Sequence, residues 1–305
     1  MSAVDAVASL AVAWPFLGPS PTMIDVRALA AAAARRDAPV LLHGEPGLGK
    51  GTAARALHDV GLHAGRQFTA VSAHTSVSLA QALFEPGGAF DSERSGTIVV
   101  PEITLLDPHA QQLLLMALDG PARGGRGFIA ATSVDLVTEV TEGRFSEALY
   151  YRLSTGPVHL PPLRVRQAAD TEALSRALLL LLGDEIPRAP RDLSESAAAA
   201  IVRYGWPGNI RELRASLERA MILARGRATL EAEDLALDVW GPGAPHLPRT
   251  LEAAERLHVE RTLLAHDGNR TRAALQLGVS RATLINKIRR FGLAPGRRGR
   301  PGSRG

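Results

Sequence analysis

Two kinds of segment follow one another in the hydrophobic pattern of this chain. Up to the Pro161-Pro162 pair, short apolar runs of strand length alternate with helical patterns, and beyond it only helical patterns occur. The predicted strands cover residues 39–43, 68–71, 97–100 and 127–131. The predicted helices among them cover 24–36, 53–60, 79–84 and 105–118. Because strands that alternate with helices favour a parallel sheet covered by helices, the first half is predicted to be an α/β domain.

The second half is predicted to be helical and to end in a separate small unit. Helices are expected over residues 171–182, 194–204 and 209–224, and a Gly/Pro-rich stretch after them predicts a linker. The pattern therefore predicts six segments, which are an N-terminal tail (1–15), an α/β subdomain (16–163), a helical subdomain (164–238), a linker (239–249), a compact helical domain (250–293) and a basic tail (294–305).

The strongest local motif is a glycine-rich turn between a predicted strand and a predicted helix. It reads Gly44-Glu45-Pro46-Gly47-Leu48-Gly49-Lys50-Gly51-Thr52. In such a turn, unpaired backbone N–H groups and the N-terminus of the following helix face the same point, which makes an anion site. Lys50 is placed to reach the outer phosphates of a nucleotide. An ordinary Gly/Pro loop is the alternative, and the flanking strand and helix argue against it.

One position departs from the usual phosphate loop. Ser or Thr normally follows the lysine and binds Mg²⁺, whereas Gly51 stands here and Thr52 comes next. Taken alone, the run resembles the loop of adenylate-kinase-type nucleotide kinases. Those kinases carry the loop at the N-terminus, and such an enzyme would not explain the C-terminal part of this chain.

Composition adds a charge asymmetry. From Arg249 onward the chain has 13 Lys and Arg against 4 Asp and Glu, a net +9, whereas the preceding residues have 22 against 27, a net −5. A basic end on an acidic body suggests nucleic-acid binding. The absence of cysteine excludes a disulfide framework and a thiolate metal site. No apolar run approaches the length of a membrane helix and no basic segment precedes residues 6–18, so we expect no membrane partner, no signal peptide and a cytoplasmic location.

The C-terminal unit has a helix-turn-helix pattern. A long helix, 251–266, precedes two short ones, 270–277 and 281–291, which are separated by a tight turn at 278–280. In the last helix three apolar residues recur at helical spacing and are expected to face the core, namely Leu284, Ile288 and Phe291. The donor-rich residues left outward suit a DNA major groove and its phosphates, and they are Arg281, Thr283, Asn286, Lys287 and Arg290. A three-helix bundle with a solvated arginine face is the alternative.

Two stretches of this unit carry a family resemblance. Residues 268–274 (GNRTRAA) and 277–284 (LGVSRATL) closely resemble the DNA-binding domain of the Fis family. The resemblance implies a dimer that pairs through the long helix and binds pseudo-palindromic double-stranded DNA. It also implies that Ser280 and Arg281 lie nearest the bases.

Further motifs extend the resemblance to residues 16–293. Besides the phosphate loop, they are LGPSPTM at 17–23, LYYRL at 149–153, LPPLR at 160–164 and WPGNIREL at 206–213. With a Fis-type end, these motifs closely resemble the sigma-54-dependent transcriptional activators (bacterial enhancer-binding proteins). The resemblance implies an AAA+ P-loop NTPase with a helical lid, ATP or ADP as ligand, and a homo-oligomer that forms a hexameric ring. No receiver or other sensory domain is expected before it.

The same resemblance implies roles for single residues. Residues 44–52 would bind the phosphates, and Arg211 of the lid would contact the nucleotide. Glu102 would activate water. Ser133 stands where the sensor of the γ-phosphate is usually Asn, and Arg152 matches the second of two arginines that reach into the neighbouring subunit.

Several departures from the family predict weak hydrolysis. The strand at 97–100 should be followed by an Asp-Glu pair, with the Asp for Mg²⁺, but the pair here is Pro101-Glu102. Proline cannot ligate a metal, so Mg²⁺ would be held weakly and by Glu102 at most. Ser146 replaces the first intersubunit arginine, and Ser72 replaces an Asn that restrains the glutamate. Because phosphoryl transfer depends on positioning and electrostatics, hydrolysis should be weak or lost.

The largest departure is a missing insertion. After Phe84 the family inserts a hairpin whose Gly-Ala-Phe-Thr-Gly-Ala tip contacts sigma-54, whereas only residues 85–95 precede Gly96 here. The stretch at 88–90 is similar to that tip, but its spacing better fits the Gly-Arg-Phe that follows the hairpin in the family. We therefore expect no contact with sigma-54.

These features predict a sequence-specific DNA-binding transcriptional regulator that binds ATP, hydrolyses it weakly and does not remodel sigma-54. It would repress, contact another form of RNA polymerase, or assemble with a complete activator. The alternative is a working sigma-54 activator ATPase, whose metal is held by Glu102 and phosphate oxygens.

Overall fold

A computed structural model describes residues 2–71, 79–90, 95–120, 125–237, 259, 262–263, 269–277 and 279–291. They belong to two units, Met1–Gly241 and Pro242–Gly305, which are described separately. The predicted linker (239–249), the basic tail (294–305), Ser72 and most of the predicted helix 251–266 lie outside the described residues.

The first unit contains α-helices and short strands in alternation. Its helices are α1 (Ala3–Ala11), α2 (Pro21–Ala34), α3 (Lys50–Val60), α4 (Leu79–Phe84), α5 (Pro108–Asp119), α6 (Leu136–Thr141), α7 (Glu147–Leu153), α8 (Ala168–Glu185), α9 (Glu195–Arg203) and α10 (Asn209–Leu223). Its strands are β1 (Val40–His43), β2 (Gln67–Ala70), β3 (Ser95–Val100), β4 (Gly127–Thr132), β5 (Pro157–His159), β6 (Asp192–Leu193) and β7 (Thr229–Leu230).

Five of these strands form one parallel sheet in the order β2-β3-β4-β1-β5. The segments that follow β1 and β3 therefore leave the sheet at the same, carboxyl edge, which is where open α/β sheets bind their ligands. β6 and β7 form a separate two-stranded parallel sheet beside the helices of the second half.

Both faces of the large sheet are covered, because neighbouring residues along each strand point to opposite sides. Leu42 and Val99 belong to the larger apolar cluster, which includes α3 and the helices α8 to α10. Leu41 and Ile98 belong to a second cluster with α5 and α7. The larger cluster joins the sheet and the helical subdomain, so the two subdomains of the first unit share one core.

Helix starts in this unit follow local capping signals. Ser20 accepts from the N–H of Met23 (3.2 Å) at the start of α2. Asp107 does the same with the N–H of Ala110 (2.8 Å) at the start of α5, and a proline follows it at the first helical position. This cap places the start of α5 at Pro108, three residues after the predicted start.

Residues 1–15, for which the pattern predicts a frayed or helical tail, contain the capped helix α1. Ser2 and Asp5 exchange backbone and side-chain hydrogen bonds at its start. Ala6 and Leu10, four positions apart, are fully buried in the larger cluster. The helix is thus part of the core of the first unit.

The second unit contains α11 (Arg270–Gln276) and α12 (Arg281–Arg290), which are separated by four residues in the sequence. Leu284, Ile288 and Phe291 are buried, with exposures of 0, 8 and 9%, which confirms the predicted core face of α12. Val259, before α11, contributes to the same small core. In the described part of both units, no helix is long and apolar enough to cross a bilayer.

Candidate functional site

The phosphate loop connects the end of β1 to the first residue of α3. Gly47 and Gly49 have φ angles of 85° and 79°, which glycine adopts without the steric cost of a Cβ atom. A Cβ at Gly47 would strike the backbone oxygen of Gly208, and one at Gly49 would strike the ring of Trp14. Both glycines are therefore required by close packing as well as by backbone conformation.

Lys50 lies in the first turn of α3 and is half-buried. Its Nζ donates to the backbone oxygens of Gly44 (2.7 Å) and Glu45 (3.3 Å), and to Oγ of Ser133 (2.6 Å). All three partners are neutral oxygens. Phosphate oxygens would bind Lys50 more strongly than these neutral oxygens do, because hydrogen bonds between charged partners are stronger.

Two cations and one carboxylate act on each other at this edge of the sheet. Burial lowers the pKa of Lys50, Glu102 acts in the opposite sense, and Arg211 lowers the pKa further. The exposed Arg211 of α10 therefore lies within electrostatic reach of Lys50. Two neighbouring positive charges favour a polyanionic ligand between them.

Glu45 of the phosphate loop connects this loop to the lid, by which we mean residues 164–237. Arg164 forms a bidentate pair with its carboxylate, with Nη1 donating to Oε2 at 2.6 Å. Nδ2 of Asn209 donates to Oε2 of Glu45 and to the backbone oxygen of Pro46, both at 3.1 Å. Glu45, Arg164 and Asn209, here called the Glu45 cluster, thus join two segments that are far apart in sequence.

Further geometry supports the Glu45 cluster. The hydrogen bonds from Arg164 and Asn209 hold the pKa of Glu45 at about 2, so it is charged at neutral pH. Asn209 is fully buried with a φ of 52°, and its Oδ1 accepts from the N–H of Leu163 (3.0 Å). The N–H of Arg211 donates to the backbone oxygen of Gly47 (3.0 Å). The first turn of α10 therefore lies directly on the phosphate loop.

The end of β3 carries Pro101 and Glu102. Pro101 is exposed and supplies no ligand atom. Oε2 of Glu102 accepts from the N–H of Ser133 (3.0 Å), and Oε1 accepts from the hydroxyl of Thr104 (3.0 Å). Ser133 therefore contacts both Glu102, through its backbone, and Lys50, through its hydroxyl. The structure brings the three predicted residues Lys50, Glu102 and Ser133 together.

The residues present fit the phosphates of a nucleotide better than they fit Mg²⁺. Loop N–H groups, Lys50 and Arg211 are suited to polyphosphate oxygens. Mg²⁺ in such sites is bound by one or two carboxylates besides phosphates and water. Among the described residues, no group of three or more metal-binding side chains exists, and Glu102 is the carboxylate whose charge raises the pKa of Lys50.

Arg152 and Ser146, the two residues at positions expected to face a neighbouring subunit, make contacts within this chain. Nε of Arg152 lies 2.7 Å from Oδ1 of Asp119, and its Nη2 donates to the backbone oxygen of Leu118 (3.0 Å). Ser146 caps α7 by accepting from the N–H of Leu149 (3.3 Å). Arg152 would have to leave Asp119 to reach a neighbouring subunit.

The segment between α4 and β3 turns back onto the sheet. Ala89 is buried, and the ring of Phe90 stacks on Phe84 (centroids 5.5 Å apart) and on Phe128 (6.1 Å). Residues 88–90 are therefore packed into the second cluster instead of forming an exposed tip. Residues 91–94, which lead into β3, lie outside the described part of the chain.

The second unit places the predicted DNA-binding residues in α12 or directly before it. Those that are exposed are Ser280, Arg281, Thr283, Asn286 and Arg290, and Lys287 is half-buried. Oγ of Ser280 accepts from the N–H of Thr283 (3.0 Å), and the two hydroxyl oxygens lie 2.8 Å apart. Ser280 therefore caps the helix, and Arg281 is the long polar side chain at its first residue.

Sequence reasoning assigned no role to Arg164, Asn209 or Trp14. Arg164 and Asn209 lie in the LPPLR and WPGNIREL motifs, which indicated only the family resemblance. Both motifs place a polar residue beside apolar ones, Arg164 between Leu163 and Val165 and Asn209 directly before Ile210, which was a usable signal. No pattern near Trp14 pointed to the phosphate loop.

A five-stranded parallel sheet with a phosphate loop after β1 and a helical lid on that loop defines a P-loop NTPase of the AAA+ class. Three known families match consecutive parts of the chain. Residues 17–163 match the profile described as Sigma-54 interaction domain, 164–249 the AAA+ ATPase lid domain, and 250–291 the bacterial regulatory protein, Fis family.

Two relatives and one solved structure are similar to this chain over most of its length. It is 34% identical over 303 residues to the hydrogenase transcriptional regulatory protein HoxA of Cupriavidus necator, over 87% of this chain and 63% of HoxA. It is 32% identical over 326 residues to the regulatory protein AtoC of Escherichia coli, over 94% and 70%. The crystal structure of NtrX from Brucella abortus in complex with ATP is similar with a TM-score of 0.65 and 27% identity, over 90% of this chain and 69% of NtrX.

The chain belongs to the family of sigma-54-dependent transcriptional activators. The predicted fold class, an AAA+ α/β sheet with a helical lid followed by a Fis-type helix-turn-helix domain, is confirmed. The chain spans less than two thirds of HoxA, the relative named first. The segment boundaries and the roles of single residues remain predictions.

Proposed function

We propose that this chain is a sequence-specific DNA-binding transcriptional regulator that binds ATP, hydrolyses it weakly and does not remodel sigma-54 polymerase. It acts as a homo-oligomer, pairing through the Fis-type domain and forming a ring through the AAA+ unit. The observation that carries the proposal is Pro101, which stands at the carboxyl edge of the sheet in place of a metal-binding aspartate.

Pro101 affects hydrolysis more than binding. The loop backbone, Lys50 and Arg211 remain available for phosphates, which supports nucleotide binding. Mg²⁺ would depend on Glu102, water and the phosphates themselves. Since Mg²⁺ neutralises charge that develops on the transferred phosphoryl group, a loosely held ion supplies less of the stabilisation on which the rate depends.

The connection before β3 supports the absence of a sigma-54 contact. Four residues, 91–94, join Phe90 to the first residue of β3. A hairpin needs two strands of about three residues or more each and a turn, so four residues are too few. Phe90 is held by its ring contacts and cannot lengthen the segment without leaving the core.

Steady-state ATP turnover with Mg²⁺ tests the proposal. The wild-type chain should turn over well below the roughly 1 s⁻¹ at the lower end of ordinary enzyme rates. Pro101→Asp, which restores the carboxylate, should raise the rate by about tenfold or more. Pro101→Ala is the matched control and should leave the turnover rate unchanged. Robust wild-type turnover together with ATP-dependent opening of a sigma-54 promoter complex would contradict the proposal.

The second candidate is a working sigma-54 activator ATPase. It is favoured by Glu102, whose charge acts on Lys50 and whose carboxylate is held in place by Ser133. If this candidate is correct, wild-type turnover is substantial and Glu102→Gln abolishes it, while Pro101→Asp brings no gain.

DNA binding is tested separately with the full chain and a DNA sequence selected from a random pool. Arg281→Ala should weaken binding by about 1–3 kcal/mol and relax the sequence preference at one position. Lys287→Ala should weaken binding to all sequences alike if it contacts phosphate. Arg191→Ala, in the first unit, is the control. Equal binding by all variants would argue for the solvated-bundle alternative.

A further inference from the structure

Two histidines end neighbouring strands at the carboxyl edge of the sheet. β1 and β5 pair so that His43 lies opposite His159. Their Nδ1 atoms are 3.0 Å apart and their ring centroids 5.1 Å apart. At that distance one nitrogen donates and the other accepts, so the two rings share one proton on the hydrogen bond between them.

The histidine pair lies next to the phosphate loop. His43 directly precedes Gly44, and its backbone oxygen accepts from the N–H of Leu160 (2.8 Å), which also fixes the chain beyond His159. His43 is half-buried and His159 exposed. Thr132, opposite His43 in β4, is uncharged. The ionisable groups that face the pair are Lys50 of α3, Glu45 of the loop, Glu102 after β3 and Asp135 before α6.

Burial and the surrounding charges favour the neutral imidazole of His43 when no ligand is present. Burial lowers the pKa of His43, and His159 and Lys50 lower it further, while Asp135 and Glu102 act in the opposite sense. The net shift in the pKa of His43 is downward from its ordinary value of 6.5, which favours the neutral form of this imidazole near pH 7.

Nucleotide phosphates would reverse this balance. They bring several negative charges to the loop backbone and to Lys50, whose own charge acts on His43. A nearby negative charge favours the protonated imidazole, and the second ring can accept the hydrogen bond that the protonated one donates.

We infer that His43 and His159 take up a proton when nucleotide phosphates enter the loop, so that nucleotide affinity rises as pH falls through neutrality. The inference rests on the proposed nucleotide binding at this loop. By linkage, uptake of one full proton corresponds to about a tenfold change in affinity for each pH unit.

Titration calorimetry of the full chain tests the inference. ADP and a non-hydrolysable ATP analogue, both with Mg²⁺, are titrated at pH 7.0 in buffers of different ionisation enthalpy. A plot of the apparent binding enthalpy against buffer enthalpy has a slope equal to the number of protons taken up. The variants are His159→Asn and His43→Asn, with the exposed His109→Asn as the matched control.

Wild type and the His109 variant should show the same positive slope, and both site variants a slope lower by a common amount. Protons that the nucleotide itself gains or loses contribute equally to all proteins and cancel in the difference. His159→Gln provides a second exposed-site variant if His43→Asn does not fold. An unchanged slope in the His159 variants overturns the inference alone, whereas no binding of either nucleotide by wild type overturns the proposed function and this inference with it.

Discussion

The two sides of the phosphate loop differ in how completely their polar groups are connected. On the lid side, the Glu45 cluster joins the loop to the LPPLR segment and to the start of α10 through a bidentate pair and two amide hydrogen bonds. On the β3 side, Pro101 supplies no polar side chain, and Glu102 bonds to Thr104 and Ser133, which are near neighbours at the same sheet edge.

The lid side bears on nucleotide binding, whereas the β3 side bears on nucleotide hydrolysis. The lid-side contacts fix the shape of the loop through groups contributed by distant parts of the chain. Hydrolysis needs a further ligand for Mg²⁺ at one position, and a single residue decides whether it is present. The proposed function therefore implies that binding and hydrolysis can be changed independently in this chain, and the following substitutions test that independence.

The largest expected effect is on binding, from Lys50→Met. The variant removes a charged donor from the phosphate site, and a loss of up to about 3 kcal/mol corresponds to roughly a hundredfold weaker nucleotide affinity. The chain's other lysine offers the control, since Lys287→Met should leave nucleotide affinity unchanged. Fluorescence titration with a labelled ADP measures both. Equal affinity in the Lys50 variant would remove the phosphate loop from consideration as the binding site.

Asn209→Ala should give the next largest effect, on stability. It breaks three hydrogen bonds of a buried side chain and places alanine at a φ of 52°. We expect a loss of about 2–3 kcal/mol in the free energy of unfolding, because the buried N–H of Leu163 loses its acceptor, Glu45 and Pro46 lose a donor, and alanine is strained at positive φ. Urea denaturation measures it.

Asn209→Gly separates the two causes of that loss, since glycine adopts positive φ without strain. A smaller loss than for alanine would assign part of the effect to the backbone. If neither variant is destabilised, the Glu45 cluster does not hold the lid to the loop.

The Glu45–Arg164 pair should contribute a pH-dependent stability of about 1 kcal/mol, a modest value because both side chains are partly exposed. The pKa of Glu45 is about 2 in the folded state against an ordinary 4.5. The contribution is therefore complete above pH 4.5 and is lost as pH falls from there towards 2. The difference in unfolding free energy between wild type and Glu45→Gln, measured from pH 7 to 3, should shrink over that window.

A matched control exists for this pair. Asp184 and Arg191 form a more exposed ion pair elsewhere in the first unit. Asp184→Asn should change stability by a smaller amount. A Glu45 variant that behaves in the same way would show that the bidentate contact has no special weight.

The smallest expected effect belongs to the β3 side. Pro101 is exposed and follows the last hydrogen-bonded residue of β3, so Pro101→Ala should change the free energy of unfolding by less than about 0.5 kcal/mol and leave nucleotide affinity unaltered. Thermal unfolding and the ADP titration check both. A large loss of stability would mean that the proline was kept for folding.

The core strands could be predicted because their residues are apolar on both faces of the sheet. Ile98, Val99 and Val100 are all buried, as a continuous apolar run predicts. β5 could not be predicted from its own three residues, of which only Val158 is buried; it is a strand because β1 pairs with it. The same holds for β6 and β7, two residues each.

The phosphate site could be predicted in part. Lys50 and the loop glycines were assigned from local spacing, which is enough for a turn that ends at a helix N-terminus. The meeting of Lys50, Ser133 and Glu102 also follows from the rule that parallel strands end at one edge. The partners of Arg152 did not follow, since Asp119 lies at the end of a different helix.

The sequence by itself determined the order of strands β1 to β4 and of the helices between them, the phosphate loop, the core face of α12 and the lack of a metal-binding side chain at Pro101. Each of these depends on residues close together in the chain. Only the tertiary structure decided that Glu45 bonds to Arg164, 119 positions away, that Trp14 covers Gly49, and that His43 meets His159. Contacts of this kind depend on which strands pair and on how the lid packs on the phosphate loop. The local spacing of residues along the chain determines neither.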